Sequence, residues 1–341
     1  MMISEAIKQL QQQQDLSEKM AGNVIDEIML GKATDVQKAA FLMGLASKGA
    51  TIAEISGAAA SLRSHALQLQ PQHSVLEIVG TGGDQFNTFN ISTTTALVVA
   101  ACGIPVAKHG NRAASSQSGS ADVLEVLGVN LQASPAVSEQ SLQQNGICFM
   151  FAQKYHQAMK YVAGIRKELQ IPTLFNYLGP LANPAGANMQ LLGVNDETLV
   201  EPLAHVLLQL GVQSGMVVHG TDGLDEVTLT GPTKVARLLN GKILNYVINP
   251  ADAGLTTCQI EDLAGGTPVE NAEITKAVLA GKQGPQRDVV LLNAACALQI
   301  TQQNLTLQAA VKRAATAIDS GKAVQKLTDF ITATNVEGGA V

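Results

Sequence analysis

Apolar residues recur at helical spacing through the first 68 positions of the chain. The last three of four such runs begin at Ser17, Thr34 and Thr51, whose hydroxyls can accept a bond from a free helical N–H group. We therefore predict four short amphipathic helices in a bundle and assign residues 1–72 to a small helical domain. The runs hold no clustered His or Cys and no paired carboxylates, so we expect this domain to serve packing or subunit association.

From residue 73 onward, short runs rich in β-branched residues alternate with helical runs, which predicts an α/β domain over 73–341 with a mostly parallel central sheet. Strands are predicted at 75–79, 104–107, 128–131, 147–151, 190–193, 213–218 and 225–230. Helices are predicted at 91–102, 119–127, 135–145, 153–168, 196–210, 272–281, 286–300 and 304–319. Asn240-Gly241 predicts a hairpin, and the proline-containing segment 174–184 predicts a rigid crossing between the two domains.

A glycine-rich turn, Gly80-Thr81-Gly82-Gly83-Asp84, follows the first predicted strand. Glycines allow positive φ and expose N–H groups, and Asn90-Ile91-Ser92-Thr93 then opens a helix whose first N–H groups attract anions. A turn of this kind is also common without a ligand. A second loop, Lys108 to Ser116, carries two cations and two hydroxyls after another strand, and Gly119–Asp122 begins a further helix. Two such loops predict a ligand with phosphates at both ends.

Composition narrows the class of protein. Hydrophobic residues make up 46% and charged residues 15% of the chain, as in folded globular proteins. A net charge of −6 with 3% aromatics argues against nucleic-acid binding, which needs a basic face or stacking rings. The four cysteines occur singly, and the longest apolar stretch, 95–107, is too short for a membrane span. We predict a cytoplasmic protein with neither nucleic-acid nor membrane partners.

The chain resembles the anthranilate phosphoribosyltransferase family over nearly its whole length. The resemblance rests on segments in the family's order: Gly80–Asp84, Thr88–Thr93, Lys108–Ser116, Gly119–Asp122, Arg166–Leu169, Leu174–Pro184 and His219–Glu226. It implies transfer of the phosphoribosyl group of phosphoribosyl pyrophosphate to anthranilate, with magnesium, in tryptophan biosynthesis. It also implies a helical domain next to an α/β domain, and a homodimer joined through the helical domain, to which a later segment near 165–185 belongs.

The resemblance also implies roles for individual residues. Those implied to hold the donor are Gly80, Gly83, Asp84, Thr88, Asn90, Ile91, Ser92, Thr93, Lys108, His109, Gly110, Asn111, Arg112, Ala113, Ala114, Ser115, Ser116 and Ser120. Gly80, Asn111 and Arg166 are implied to contact anthranilate, and Ser92, Asp225 and Glu226 to hold Mg²⁺. Lys108 and Arg112 would lend electrostatic support, and no residue is assigned as a general acid or base.

The sequence departs from the family pattern at Gln85, at Gln157 and in the stretch 169–173. Two other functions stay open at this level. One is a pyrimidine nucleoside phosphorylase-like enzyme, which would use free phosphate, and the other is a non-catalytic relative that binds nucleotides or nucleic acid. The adjacent carboxylates Asp225 and Glu226 favour the magnesium-dependent transferase, because Mg²⁺ prefers carboxylate and phosphate oxygens.

Overall fold

The computed structural model describes residues 1–84, 86–113 and 116–336. It opens with four helices, α1 (Met2–Gln11), α2 (Glu18–Met29), α3 (Asp35–Lys48) and α4 (Ile52–Ser64). The hydroxyls of Ser17, Thr34 and Thr51 accept hydrogen bonds from the backbone N–H groups of Met20, Gln37 and Glu54, respectively. The predicted bundle and its three N-caps are confirmed.

Seven strands of the described chain form one sheet in the order β3-β2-β1-β4-β5-β6-β7. They are β1 (Leu76–Gly80), β2 (Val106–Gly110), β3 (Ile147–Phe151), β4 (Met189–Gly193), β5 (Ser214–Gly220), β6 (Thr233–Leu239) and β7 (Lys242–Ile248). The strands β1 to β5 are parallel, and β6 and β7 extend the sheet through antiparallel pairing. Asn240 and Gly241, at φ of 52° and 72°, form the predicted hairpin turn between β6 and β7.

The other helices cover both faces of the sheet and continue to the end of the described chain. They are α5 (Ile91–Ala101), α6 (Ser120–Val126), α7 (Pro135–Asn145), α8 (Ala152–Tyr155), α9 (Lys160–Leu169), α10 (Phe175–Leu181), α11 (Val200–Gln209), α12 (Pro268–Leu279), α13 (Pro285–Thr301), α14 (Leu307–Asp319) and α15 (Lys322–Thr334). None of the helices in the described residues is long and apolar enough to cross a bilayer.

Two predicted strands are wrong. Residues 128–131 and 225–230 are loops with buried apolar side chains, and some of their N–H groups bond to side chains instead of to a neighbouring strand. Asn130 N–H donates to the hydroxyl of Thr334, and Val227 N–H donates to the amide oxygen of Asn293. Apolar side chains in these loops produce a strand-like pattern because they fill the core, although their backbone leaves the sheet.

The helix predicted at 153–168 is wrong in its continuity, and two helices, α10 and α15, were missed. The backbone leaves helical geometry at His156, with φ of −111° and ψ of 60°, so α8 and α9 are separate and a short 3-10 turn lies between them. The predicted crossing segment 174–184 contains α10, with Pro180 inside it. Helix α15 was not predicted, although it packs Leu327 and Phe330 into the core.

Two apolar clusters lie on opposite faces of the sheet. One contains Leu76 and Ile78 of β1 together with residues of α5 and α13. The other joins the N-terminal helices to α9, α10 and α11, and includes Phe41, Val162 and Leu178. Helices α9 and α10 therefore pack against the N-terminal bundle, which places the 165–185 segment beside the carboxyl ends of the strands.

Candidate active site

A cleft of about 1520 Å³ lies at the carboxyl ends of β1, β2, β4 and β5, where ligands bind in parallel α/β sheets. The structure brings nearly all the sequence-predicted site residues to its lining: Gly80, Gly83, Asp84, Thr88, Asn90, Ile91, Ser92, Thr93, Lys108, His109, Gly110, Asn111, Arg112, Ser116, Ser120, Arg166, Asp225 and Glu226. Ala113 is not in the lining, and its N–H donates to Asp122. Ala114 and Ser115 lie outside the described residues, as does Gln85.

The glycine turn after β1 lies against the acidic loop. Gly82 N–H donates to the Asp225 carboxylate at 2.6 Å, and Gly82 and Gly83 have φ of 69° and 84°. A Cβ on Gly80 would lie 2.2 Å from the Asp225 carboxylate, and one on Gly193 would lie 1.7 Å from the Asp225 carbonyl oxygen. Glycine at both strand ends is what allows the acidic loop to approach so closely.

Asn90 stands at the N-cap position of α5, but its side chain makes no capping hydrogen bond within the described residues. Its amide instead donates to the carbonyl of Ser118, and its oxygen accepts from the Ser118 hydroxyl and the Asn271 amide. The expected N-cap bond is therefore replaced by a link between the start of α5 and the second loop. The first N–H groups of α5 keep the positive end of a helix dipole directed at the cleft.

Lys108 is 3% exposed and contributes to the floor of the cleft. Its ammonium donates to the carbonyl of Ile78 at 2.7 Å and to the hydroxyl of Ser92 at 3.3 Å. Burial lowers the pKa of Lys108 to about 8, against the opposing charges of Glu226, Glu77 and Asp225. Its charge thus lies among buried carboxylates, under the start of α5.

Arg112 is paired with acidic residues. Its guanidinium forms a two-pronged bond to Glu125, at 2.8 and 3.0 Å, and a third bond to Asp122 at 2.9 Å. Asp122 also accepts from the N–H groups of Ala113 and Gly119, so it joins the two ends of the second loop. The predicted support for an anionic donor from Arg112 requires this residue to exchange carboxylate partners for phosphate.

Asp225 is buried and Glu226 is half-buried, and both carboxylates face the glycine turn and α5. Burial, and then the charges of Glu226 and Asp84, raise the pKa of Asp225 well above its ordinary value. Burial raises the pKa of Glu226 to about 8, and its carboxylate accepts from the N–H of Ser92 at 3.1 Å. Carboxylates that repel one another in this way favour a bound cation.

The acidic group fits a magnesium ion that is shared with a substrate. Within residues 1–84, 86–113 and 116–336, no three His, Cys, Asp or Glu side chains form a metal cage by themselves. Mg²⁺ commonly takes only one or two protein carboxylates and completes its shell with phosphate oxygens and water. Asp225 and Glu226, with Asp84 nearby, supply that partial set. The Ser92 hydroxyl is close, although it already accepts from Lys108.

A second part of the cleft lining, beside α10, carries Arg166 and two histidines. The Arg166 guanidinium carbon lies 5.5 Å from the ring centre of Phe175, and burial lowers its pKa. The rings of His109 and His156 are 4.9 Å apart, and burial lowers their pKa values to about 3 and about 4. Both histidines are therefore neutral near pH 7, and this part of the lining offers one cation beside uncharged rings. His219 is buried and bonds to the carbonyl of Val194.

The sequence analysis missed several residues of the lining, among them Asn176 and Tyr177 on α10 and Asn195 and Asp196 after β4. Thr81 and Asn195 are linked directly, because Asn195 N–H donates to the Thr81 hydroxyl. A signal for the β4 pair was present. Asn195-Asp196 follow a predicted strand, as the glycine turn and the loop after Lys108 do.

The helical bundle, the parallel sheet and the anion-binding loops define a glycosyl transferase of two domains. Residues 4–66 match a model described as "Glycosyl transferase family, helical bundle domain", and residues 72–324 match "Glycosyl transferase family, a/b domain". Anthranilate phosphoribosyltransferase from Lachnoclostridium phytofermentans is 55% identical over 98% of this chain and 99% of that protein. The one from Methanobrevibacter smithii is 51% identical over 98% of this chain and all of that protein.

Solved structures agree. A crystal structure of anthranilate phosphoribosyltransferase from Thermus thermophilus superposes with a TM-score of 0.92 at 39% identity, covering 97% of this chain and 99% of that one. The Saccharomyces cerevisiae enzyme, described in complex with PRPP and Mg, has a TM-score of 0.91 at 29% identity, with 97% of each chain covered. The chain belongs to the anthranilate phosphoribosyltransferase family.

Proposed function

We propose that this protein transfers the phosphoribosyl group of 5-phosphoribosyl 1-pyrophosphate to the amine of anthranilate, and releases pyrophosphate, as a step of tryptophan biosynthesis. One observation carries the proposal: anion-binding N–H groups, a carboxylate pair and an arginine beside neutral rings line a single cleft. The yeast relative described with PRPP and Mg supports the same donor and cation.

The donor's phosphates fit the end of the cleft near β1 and α5. N–H groups of Gly83 and Asp84 and of the start of α5 can hold phosphate oxygens without any side-chain charge. Those of Gly82 and Ser92 already donate to Asp225 and Glu226, and would have to leave these carboxylates first. Lys108 adds a buried positive charge beneath them. Asp225, Glu226 and Ser92 would hold Mg²⁺, whose role when bound is to neutralise charge on the pyrophosphate.

The acceptor fits the Arg166 end of the cleft. A guanidinium can bond a carboxylate through two parallel N–H groups, and Asn111 and Gly80 line the same cleft as Arg166. The amine of anthranilate is neutral near pH 7, so it needs no base before it attacks. Its nitrogen bonds to the anomeric carbon as the carbon–oxygen bond to pyrophosphate breaks, with inversion, and the nitrogen then loses a proton. The protein contributes orientation and charge stabilisation.

We also propose a homodimer formed through the helical domain, with the 165–185 segment joined to it. Exposed apolar side chains support this surface: Leu30, Val36 and Met43 on or beside α2 and α3, and Tyr161 on α9. Sedimentation of the purified protein tests the dimer, and Val36→Glu should shift it toward the monomer.

A cytoplasmic location is supported by the four cysteines, which are unpaired in the structure.

Loss of anthranilate fluorescence on addition of the donor tests the activity directly. We expect turnover that requires phosphoribosyl pyrophosphate and that EDTA abolishes and added Mg²⁺ restores. Pyrimidine nucleosides with free phosphate provide the comparison. Phosphorolysis that persists in EDTA, with no consumption of anthranilate, would replace the proposed transferase by a nucleoside phosphorylase.

A further inference from the structure

Helix α10 forms one wall of the acceptor end of the cleft. Phe175, which lies against Arg166, and Gly179 and Pro180 all line the cleft. The helix has seven residues, and Pro180 within it lacks the N–H that an intrahelical bond requires. A helix this short is not stable by itself, so its position depends on contacts with other elements.

Three consecutive carbonyl oxygens at the end of α10 accept hydrogen bonds from three different elements. Gln190 of β4 donates to Pro180 O at 2.8 Å, and Arg63 of α4 donates through Nε to Leu181 O at 2.5 Å. His156, between α8 and α9, bonds to Ala182 O at 3.0 Å, which places its proton on Nε2. The last carbonyls of a helix have no partner within the helix, so side chains from the sheet and the helical domain satisfy them here.

Gln190 is more deeply buried than Arg63, which is half-buried and held by two bonds. Gln190 is fully buried. Arg63 makes a second bond, from Nη1 to Leu210 O at 3.2 Å, and burial lowers the pKa of its guanidinium. A carbonyl left without a donor in such a place loses its bond and gains no access to water.

We infer that Arg63 and Gln190 are positioning residues for the acceptor: by holding the carbonyl end of α10, they fix the wall formed by Phe175 and Arg166. The inference rests on the proposed function, since it assigns the acceptor to that wall. Neither side chain is among the residues that the sequence analysis placed in the site. Their effect should fall on anthranilate and spare the sugar donor, which binds at the glycine turn and α5.

The test compares KM values for the two substrates in Gln190→Met and Arg63→Met. Met keeps the length of each side chain but removes its donors. We expect the KM for anthranilate to rise about 3- to 10-fold, the effect of one lost hydrogen bond, with the KM for the donor unchanged within about twofold. Arg63→Lys keeps the charge and should lie between wild type and Arg63→Met.

Arg237→Met is the matched control. Arg237 of β6 also donates from a partly buried guanidinium to a helix-end carbonyl, Gln299 O of α13 at 3.1 Å, but it is remote from the cleft lining. We expect this variant to melt at a lower temperature while both KM values stay at wild-type levels. If the Arg63 and Gln190 variants behave in the same way, or raise both KM values together, their role is only structural and the inference fails.

Hydrogen exchange supplies a readout that does not depend on turnover. In Gln190→Met, amides in a peptide covering 173–184 should exchange faster, while peptides from α13 should not change. Unchanged exchange in 173–184 would overturn the inference by itself. Absence of anthranilate turnover by the wild-type protein would instead overturn the proposed function, while the exchange result would still decide whether these side chains hold α10.

Discussion

Glu77 offers a sharp test of the electrostatics beneath the cleft. It lies on β1, is fully buried, and accepts the N–H of His109 at 3.1 Å through one carboxylate oxygen. Its other oxygen has no hydrogen-bond partner in the described part of the chain. Burial raises its pKa from an ordinary 4.5 to about 8, against the opposing effects of Lys108 and Arg63.

The sign of the pH effect follows from proton binding. Between pH 4.5 and about 8 the folded protein holds a proton on Glu77 that the unfolded chain has released. The contribution of Glu77 to the free energy of unfolding is therefore fully present below pH 4.5 and is lost as pH rises through about 8. At 1.36 kcal/mol per pKa unit, the loss between about pH 5 and about pH 8.5 is on the order of 4 kcal/mol.

Glu77→Gln should remove that loss, because the amide keeps an oxygen to accept from His109 and cannot ionise. We expect urea denaturation to show wild type losing several kcal/mol more than Glu77→Gln between these pH values. Glu5→Gln, on the exposed face of α1, is the control and should follow wild type. The free energy of unfolding is plotted against pH for both proteins. Parallel curves for wild type and Glu77→Gln would show that the buried carboxylate does not hold a proton in this pH range.

Three further changes probe the cleft. Arg166→Ala should raise the KM for anthranilate roughly 10- to 100-fold, because a charged hydrogen bond contributes about 1.5–3 kcal/mol; initial-rate kinetics that leave this KM unchanged would remove Arg166 from the site. Asp225→Asn combined with Glu226→Gln should weaken magnesium-dependent use of the donor without altering the circular dichroism spectrum, and a wild-type magnesium titration would refute the metal assignment. Gly193→Ala should raise the Mg²⁺ concentration that gives the half-maximal rate, because the Cβ of the new alanine would lie 1.7 Å from the Asp225 carbonyl oxygen. Gly164→Ala is the control and should leave this concentration unchanged, because there is open space around Gly164.

Local signals were enough to predict much of the fold. Ser17, Thr34 and Thr51 cap helices through bonds to N–H groups three residues away, so the sequence around each cap contains both partners. Asn240-Gly241 formed the expected turn because two positive φ values were needed at that point. The position of the cleft followed from one topological fact, that parallel strands end at the same edge.

Long-range contacts explain what could not be predicted. Nothing near Arg112 in the sequence shows that Glu125, one helix along, takes its guanidinium. The approach of Gly193 to Asp225 depends on β4 and on the loop after β5 meeting across the sheet. The apolar loops at 128–131 and 225–230 resemble strands because burial alone sets the side-chain pattern, while distant side chains decide where the backbone bonds go.

A chain with net charge −6 can bind a polyanionic donor because the positive potential of its cleft has two sources, backbone N–H groups and charged side chains. N–H groups of the glycine turn and of α5 carry partial charges that pH cannot remove, and they need no lysine or arginine at the surface. Lys108 and Arg112, the formal charges nearby, already have carboxylate neighbours. Asp225 and Glu226 would repel a bare pyrophosphate, so the donor should bind well only when it brings a divalent cation. Donor affinity should therefore depend more steeply on Mg²⁺ than on ionic strength. Isothermal titration measures this in two series, one at fixed salt and varied Mg²⁺ and one at fixed Mg²⁺ and varied salt, and an equal or steeper dependence on salt would contradict it.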